Sequence, residues 1–121
     1  MKRDFRLFEL DQLDSDHFPV IAFFNAISNS DFKDVVEQLS LGIGRGINAA
    51  VCTFPDDLDP DEDMFDGVMF SLHNEEVVVD YQTFFHYLKK ACNFYLVDFP
   101  DDKDIIESYL SKIKEKYHLV V

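Results

Sequence analysis

The chain predicts an α+β fold: a small antiparallel sheet packed with about four helices, in the order ααβββαα, within a single domain spanning residues 1–121. Three observations lead there. Apolar residues recur at helical spacing in the first third and again from residue 81 onward, whereas the β-branched and aromatic runs are grouped in the middle of the chain. A turn-bounded pair of such runs reads as a hairpin, which favours antiparallel over parallel pairing. Finally, 121 residues with 47% apolar and 15% aromatic content match one ordinary core and exclude the low-hydrophobicity signature of disorder.

Taken in order, Ser15 or Asp16 caps a first helix that tolerates Pro19 in its opening turn and carries Val20, Ile21, Phe23, Phe24 and Ile27. Asn29 and Ser30 interrupt it. Ser30 then caps a second helix with Phe32, Val35, Val36 and Leu39 on one face, stopped by Gly42 where a left-handed backbone is favoured. Residues 47–54 are small, β-branched or aromatic and read as one strand. Residues 68–72 alternate as a second, His73 to Glu75 supply a tight turn, and Val77, Val78 and Val79 form the partner strand.

Asp80 caps a long helix whose stripe runs Tyr81, Phe84, Phe85, Leu88, Ala91, Cys92, Tyr95 and Leu96. After a break at residues 98–100, a last helix buries Ile105, Ile106, Tyr109, Leu110 and Ile113. Asp101, Asp102 and Asp104 stand at its positive end and Lys112, Lys114 and Lys116 at its negative end. Residues 1–16 read as an edge strand or a mobile arm.

Eleven basic against twenty-four acidic residues leave a formal charge of −13. Such a chain repels phosphate backbones and anionic lipid and attracts cationic surfaces, so direct nucleic-acid or membrane-surface binding is not expected. The N-terminal residues carry a charge every few positions, unlike a secretory signal peptide, and no run approaches a membrane span. Cys52 and Cys92 sit in apolar company and read as buried, reduced thiols of a cytoplasmic protein.

The densest feature is FPDDLDPDEDMFDG, residues 54–67, with seven carboxylates and no Lys or Arg. Its spacing does not make an EF-hand. Beginning at Asp57 places Asp59 and Asp61 at positions 3 and 5, but Glu62 falls where Gly is required and Val68 where the bidentate Glu belongs. A catalytic acid–base pair needs one carboxylate desolvated by an apolar wall, which clustered aspartates on a Pro-stiffened loop do not meet. A recognition surface, a solvated loop and a weak divalent-ion site stay open at this point.

The glycine run GIGRG at residues 42–46 follows a helix and precedes a strand, the reverse of a phosphate-binding loop, and reads as a flexible connection from which Arg45 can reach a partner carboxylate. His17, His73, His86 and His118 lack metal-ligand spacing. Cys92 and His86 are six positions apart, about 240° around a helix, so they do not form a nucleophilic pair. With no catalytic constellation, the chain is expected not to be an enzyme and to need no metal or cofactor.

The segments FFNAISNSDF (residues 23–32), VCTFPDDLD (51–59), MFDGVMF (64–70) and VDYQTFFHYLKKAC (79–92) resemble the immunity proteins of bacterial contact-dependent growth inhibition systems, in the family paired with ribonuclease toxins. The resemblance runs from about residue 18 to 113. It implies a cytoplasmic, non-enzymatic protein that binds the C-terminal toxin domain of a large surface-delivered effector and blocks RNA cleavage.

Electrostatics favours the same reading, because a ribonuclease cleft must be basic to hold RNA and an acidic protein complements it. The expected partner-binding residues are Asp56, Asp57, Asp59, Asp61, Glu62, Asp63 and Asp66, with Phe54, Phe65 and Tyr81 as aromatic anchors that slow dissociation. Glu75, Glu76 and the acidic start of the last helix are the next candidates. The rival readings are a general acidic interaction or regulatory module, and a divalent-dependent hydrolase built on the loop carboxylates.

Overall fold

The computed structural model describes residues 15–47, 49–55, 61 and 65–119. A 3-10 turn, Ser15–His17, feeds α1 (Phe18–Ala26), with Pro19 in the first turn, where its missing N–H costs nothing. No side chain caps this helix; the residue before it is His17, and its Nδ1 is hydrogen-bonded to the Tyr87 hydroxyl at 2.8 Å instead. The expected cap at Ser15 or Asp16 is displaced because both residues are spent in the 3-10 turn. Pro19, Val20, Ile21, Phe23 and Phe24 are all buried, so α1 is apolar nearly all round, as befits a helix between two layers.

The chain breaks at Ile27 and Ser28, and α2 (Asn29–Ser40) starts earlier than the spacing predicts. Ser28 precedes it, with its Oγ 3.0 Å from Asp31 Oδ2 and 3.1 Å from Ser30 Oγ, so the serine cluster bonds within itself and Ser30 lies inside the helix. At the other end Gly42 takes φ +76° and the last carbonyls are satisfied: Gly42 N donates to Leu39 O and Ile43 N to Gln38 O, each at 3.0 Å. This paired closure needs a residue at positive φ, which Gly42 supplies.

Four strands follow, β1 (Arg45–Ile47), β2 (Ala50–Thr53), β3 (Val68–Leu72) and β4 (Glu75–Val79), each antiparallel to the next in the order β1-β2-β3-β4. The single strand expected over residues 47–54 is therefore two. The chain turns back after Ile47, pairing Ile47 with Ala50 and Arg45 with Cys52, so part of the glycine-rich connection becomes an edge strand. The hairpin at residues 68–79 stands as expected, with Leu72 opposite Glu75 and His73 at φ +55° in the turn.

Asp80 caps α3 (Tyr81–Asp98), accepting a 2.7 Å hydrogen bond from Thr83 N. The Thr83 side chain, together with this backbone bond, holds the Asp80 carboxyl below its ordinary range. A second 3-10 turn, Pro100–Asp102, leads into α4 (Lys103–Tyr117). The element order is thus ααββββαα.

One cluster of buried residues joins these elements. α1 packs on β2, β3 and β4 on one side and on α3 on the other, while α4 packs on α2 and α3. Phe70 sits at the middle of the junction, with ring centroids 5.5 Å from Phe23, 6.0 Å from Phe24 and 6.2 Å from Phe84. On α4, Ile106, Tyr109 and Ile113 are buried; Ile105, expected beside them, is 41% exposed, because one position earlier points it off the contact stripe.

Candidate functional site

The acidic segment leaves the sheet from β2 and returns to β3, neighbouring strands in which Thr53 faces Met69. Its two roots are rigid for different reasons. Phe54 is only 1% exposed, with its ring edge-on to Phe84 at 5.6 Å, so the first residue after β2 is pinned in the core. Gly67 holds φ +127° on a site where a Cβ would collide with the Val79 carbonyl, so the backbones of the loop's return and of β4 touch directly.

Between these roots, Asp61 and Asp66 are exposed and Phe65 is half-buried. Asp56, Asp57, Asp59, Glu62 and Asp63 lie outside the described residues. Of the three expected aromatic anchors, Phe54 faces inward and anchors the loop, not a partner. Tyr81 is half-buried under Tyr117, their rings stacked at 3.9 Å and 8° from parallel, and Phe65 stays at the surface boundary.

A second acidic area forms where the β3–β4 turn approaches the start of α1. An open depression of about 680 Å³ is lined there by Asp16, Phe18, Asn74, Glu75, Glu76 and Val77. Phe18 is 45% exposed in spite of its size. No sequence spacing signals this contact, since Phe18 and Glu76 are brought together only by the packing of α1 on the sheet. The acidic start of the last helix has its own work: Tyr95 donates to Asp102 Oδ2 at 2.6 Å and Lys33 Nζ lies 3.4 Å from Oδ1.

Arg45 turns toward α2, its Nη1 donating to Gln38 Oε1 at 2.9 Å. His73 lies in the β-turn, His118 at the end of α4 with φ +54°, and His17 and His86 each stand edge-on to the Tyr87 ring, with centroids 5.7 and 5.6 Å away. Cys52 and Cys92 are both buried. Among the described residues no group of three or more His, Cys, Asp or Glu is placed to hold a metal ion, and no helix is long and apolar enough to cross a membrane.

Among the described residues the arrangement supplies fixed charge: an acidic segment held at its roots by Phe54 and Gly67, and the exposed carboxylates of Glu75 and Glu76 at the other end of β3. No curated protein matches the sequence. A family model described as CDI immunity protein covers residues 13–110, from the entry of α1 into the second half of α4. With that match spanning both acidic areas and all four strands, the chain belongs to the CDI immunity protein family.

Proposed function

We propose that this protein acts in the cytoplasm, binding the ribonuclease domain of its cognate toxin and neutralising it through the acidic surface built on residues 56–66. The observation that carries the reading is the seven-carboxylate segment at residues 54–67, which contains no cation. A surface that must hold RNA presents a fixed field of Lys and Arg, and this segment meets it as a polyanion does. Inhibition is by occupancy of the surface on which the toxin would hold RNA.

Speed follows from the same charge. Steering raises association from about 10⁵–10⁶ to about 10⁸ M⁻¹s⁻¹ at low salt, which matters when an incoming toxin competes for cellular RNA. The rigid roots at Phe54 and Gly67 reduce the entropy lost when the loop is engaged.

The test is coexpression with the C-terminal domain encoded by the neighbouring toxin gene. Growth rescue, co-purification and protection of RNA from cleavage are expected. Continued growth arrest without a complex overturns the function, and a neutralised toxin that leaves RNA intact on its own overturns the ribonuclease assignment alone.

A further inference from the structure

The corner where α3 gives way to α4 leaves large apolar side chains in water. Val97 is 77%, Phe99 38% and Ile105 41% exposed, all within nine positions. Between the first two stands Asp98, the last residue of α3, at the negative end of the helix dipole, where a cation would be favoured and no basic residue occupies the last turn. Helix stability does not ask for a carboxylate there. Asp98, Asp101 and Asp104 are exposed and have no hydrogen bond or ion pair among the described residues, whereas Asp102 is held by Tyr95 and Lys33.

Phe99 is the outermost of three stacked rings. Fully buried Phe32 lies 4.6 Å from Tyr95 at 19°, and Tyr95 lies 4.7 Å from Phe99 at 17°. The Tyr95 hydroxyl donates to Asp102 Oδ2 at 2.6 Å, which fixes the middle ring and gives the outer one a firm base. Tyr95 covers one face of Phe99, and among the described residues no other ring or cation meets it.

We infer that this corner is an arginine-binding hot spot of the toxin interface, where a guanidinium of the partner protein stacks on Phe99 and forks toward the unpaired carboxylates of Asp98 and Asp101. The inference rests on the toxin-binding reading above and deepens it with a contact built from residues 95–105 alone. Chemistry selects this occupant. A guanidinium is planar and weakly hydrated, lies flat on an aromatic face, and presents paired donors that match a carboxylate. Nucleic acid and anionic lipid are repelled by the same acids, and among the described residues no acidic group is placed to hold a metal ion. A surface that holds RNA carries Arg for the phosphates.

The corner is distinct from the acidic loop. The loop's root at Phe54 meets Phe84, and Phe99 stands fifteen positions further on, about 22 Å along α3. Both places nevertheless carry one motif, FPDD-x-D, at residues 54–59 and 99–104. The first copy sends its ring into the core and the second leaves it at the surface.

The deciding experiment measures full-length protein and its variants against the purified toxin domain from the neighbouring gene, at physiological salt, with the melting temperature of each variant. Asp98→Lys is expected to weaken binding about tenfold while leaving the melting temperature unchanged or raised, since the helix end favours a cation. Phe99→Leu keeps apolar bulk without the π face and should weaken binding about tenfold, mostly by faster dissociation, whereas Phe99→Trp should stay within about threefold of wild type. Glu115→Lys, the same charge change at an exposed position near the other end of α4, should also stay within about threefold.

If the wild type neutralises the toxin and Asp98→Lys and Phe99→Leu match it, the corner is wrong while the function stands. Should the wild type itself not bind, both fall. Equal weakening by Phe99→Leu and Phe99→Trp removes the stacked guanidinium and overturns the proposal. A melting temperature lowered by Asp98→Lys, or a wild-type dimer that this change converts to monomer, assigns the corner to the chain's own remaining residues or to a second copy and overturns it as well.

Discussion

Tyr81 and Tyr117 lie face to face, ring centroids 3.9 Å apart and planes 8° from parallel, clasping the first residue of α3 to the last of α4. The stack links positions 36 apart in sequence and closes the helical layer beside the end of β4. Tyr81 is thus a structural residue before it is anything else. Replacing either ring by Ala should cost about 1–2 kcal/mol in chemical denaturation, and a double-mutant cycle should return a coupling of about 0.5–1.5 kcal/mol. A coupling near zero would show that the rings touch without contributing.

Gly67 permits the loop to return against β4. An Ala there must adopt φ +127° and push its Cβ into the Val79 carbonyl, so Gly67→Ala should lose at least about 2 kcal/mol, seen as a lower urea midpoint with unchanged slope. Gly46→Ala makes the contrast. Its Cβ meets only Val51 Cγ2 at 3.8 Å, and stability should move by about 0.5 kcal/mol or less.

Asp102 carries a pH-dependent contribution. The Tyr95 hydroxyl bond, helped by Lys33, holds its carboxyl below the ordinary value of 3.8, so the ionised form is favoured in the folded state. That contribution is complete above the unfolded value and is lost as pH falls through the lowered folded one. The melting-temperature gap between wild type and Asp102→Asn should therefore be open at pH 6 and close toward pH 2–3; a gap constant with pH would remove the ionic part of the contact.

Neutralising Asp56, Asp57, Asp59 and Asp61 to Asn should slow toxin association about tenfold or more at low salt and flatten its ionic-strength dependence, with the melting temperature preserved. Stopped-flow traces at two salt concentrations decide it. Unchanged rates would move the charge-reading surface to Glu75 and Glu76.

His118 ends α4 in the left-handed region, where Leu119 N reaches Lys114 O at 3.0 Å. Glycine adopts that backbone without a Cβ penalty, so His118→Gly should gain about 0.5 kcal/mol or more, read as a raised melting temperature.

Features set by neighbours in sequence were the legible ones. Asp80 three residues before Thr83, Gly42 after a helical stripe, and the alternation at residues 68–72 each have a local cause, and each stands where the spacing puts it. The β1–β2 hairpin escaped because Arg45–Ile47 has little β-propensity of its own and owes its strand to pairing with β2. Phe54 beside the acidic run looked like a partner anchor; nothing in its neighbours reveals that its ring meets Phe84 on another element. The Met69–Val78 pairing was equally hidden, since it exists only once the register is known.

The distribution of charge over this architecture has one more effect. Lys33, Lys89, Lys90, Lys103, Lys112, Lys114 and Lys116 all ride on helices, while β2, β3, β4 and the loop between them carry only acids. Over the described residues the charge is therefore polarised as well as net negative. A cationic partner would exert a torque before any contact and turn the acidic strands toward itself.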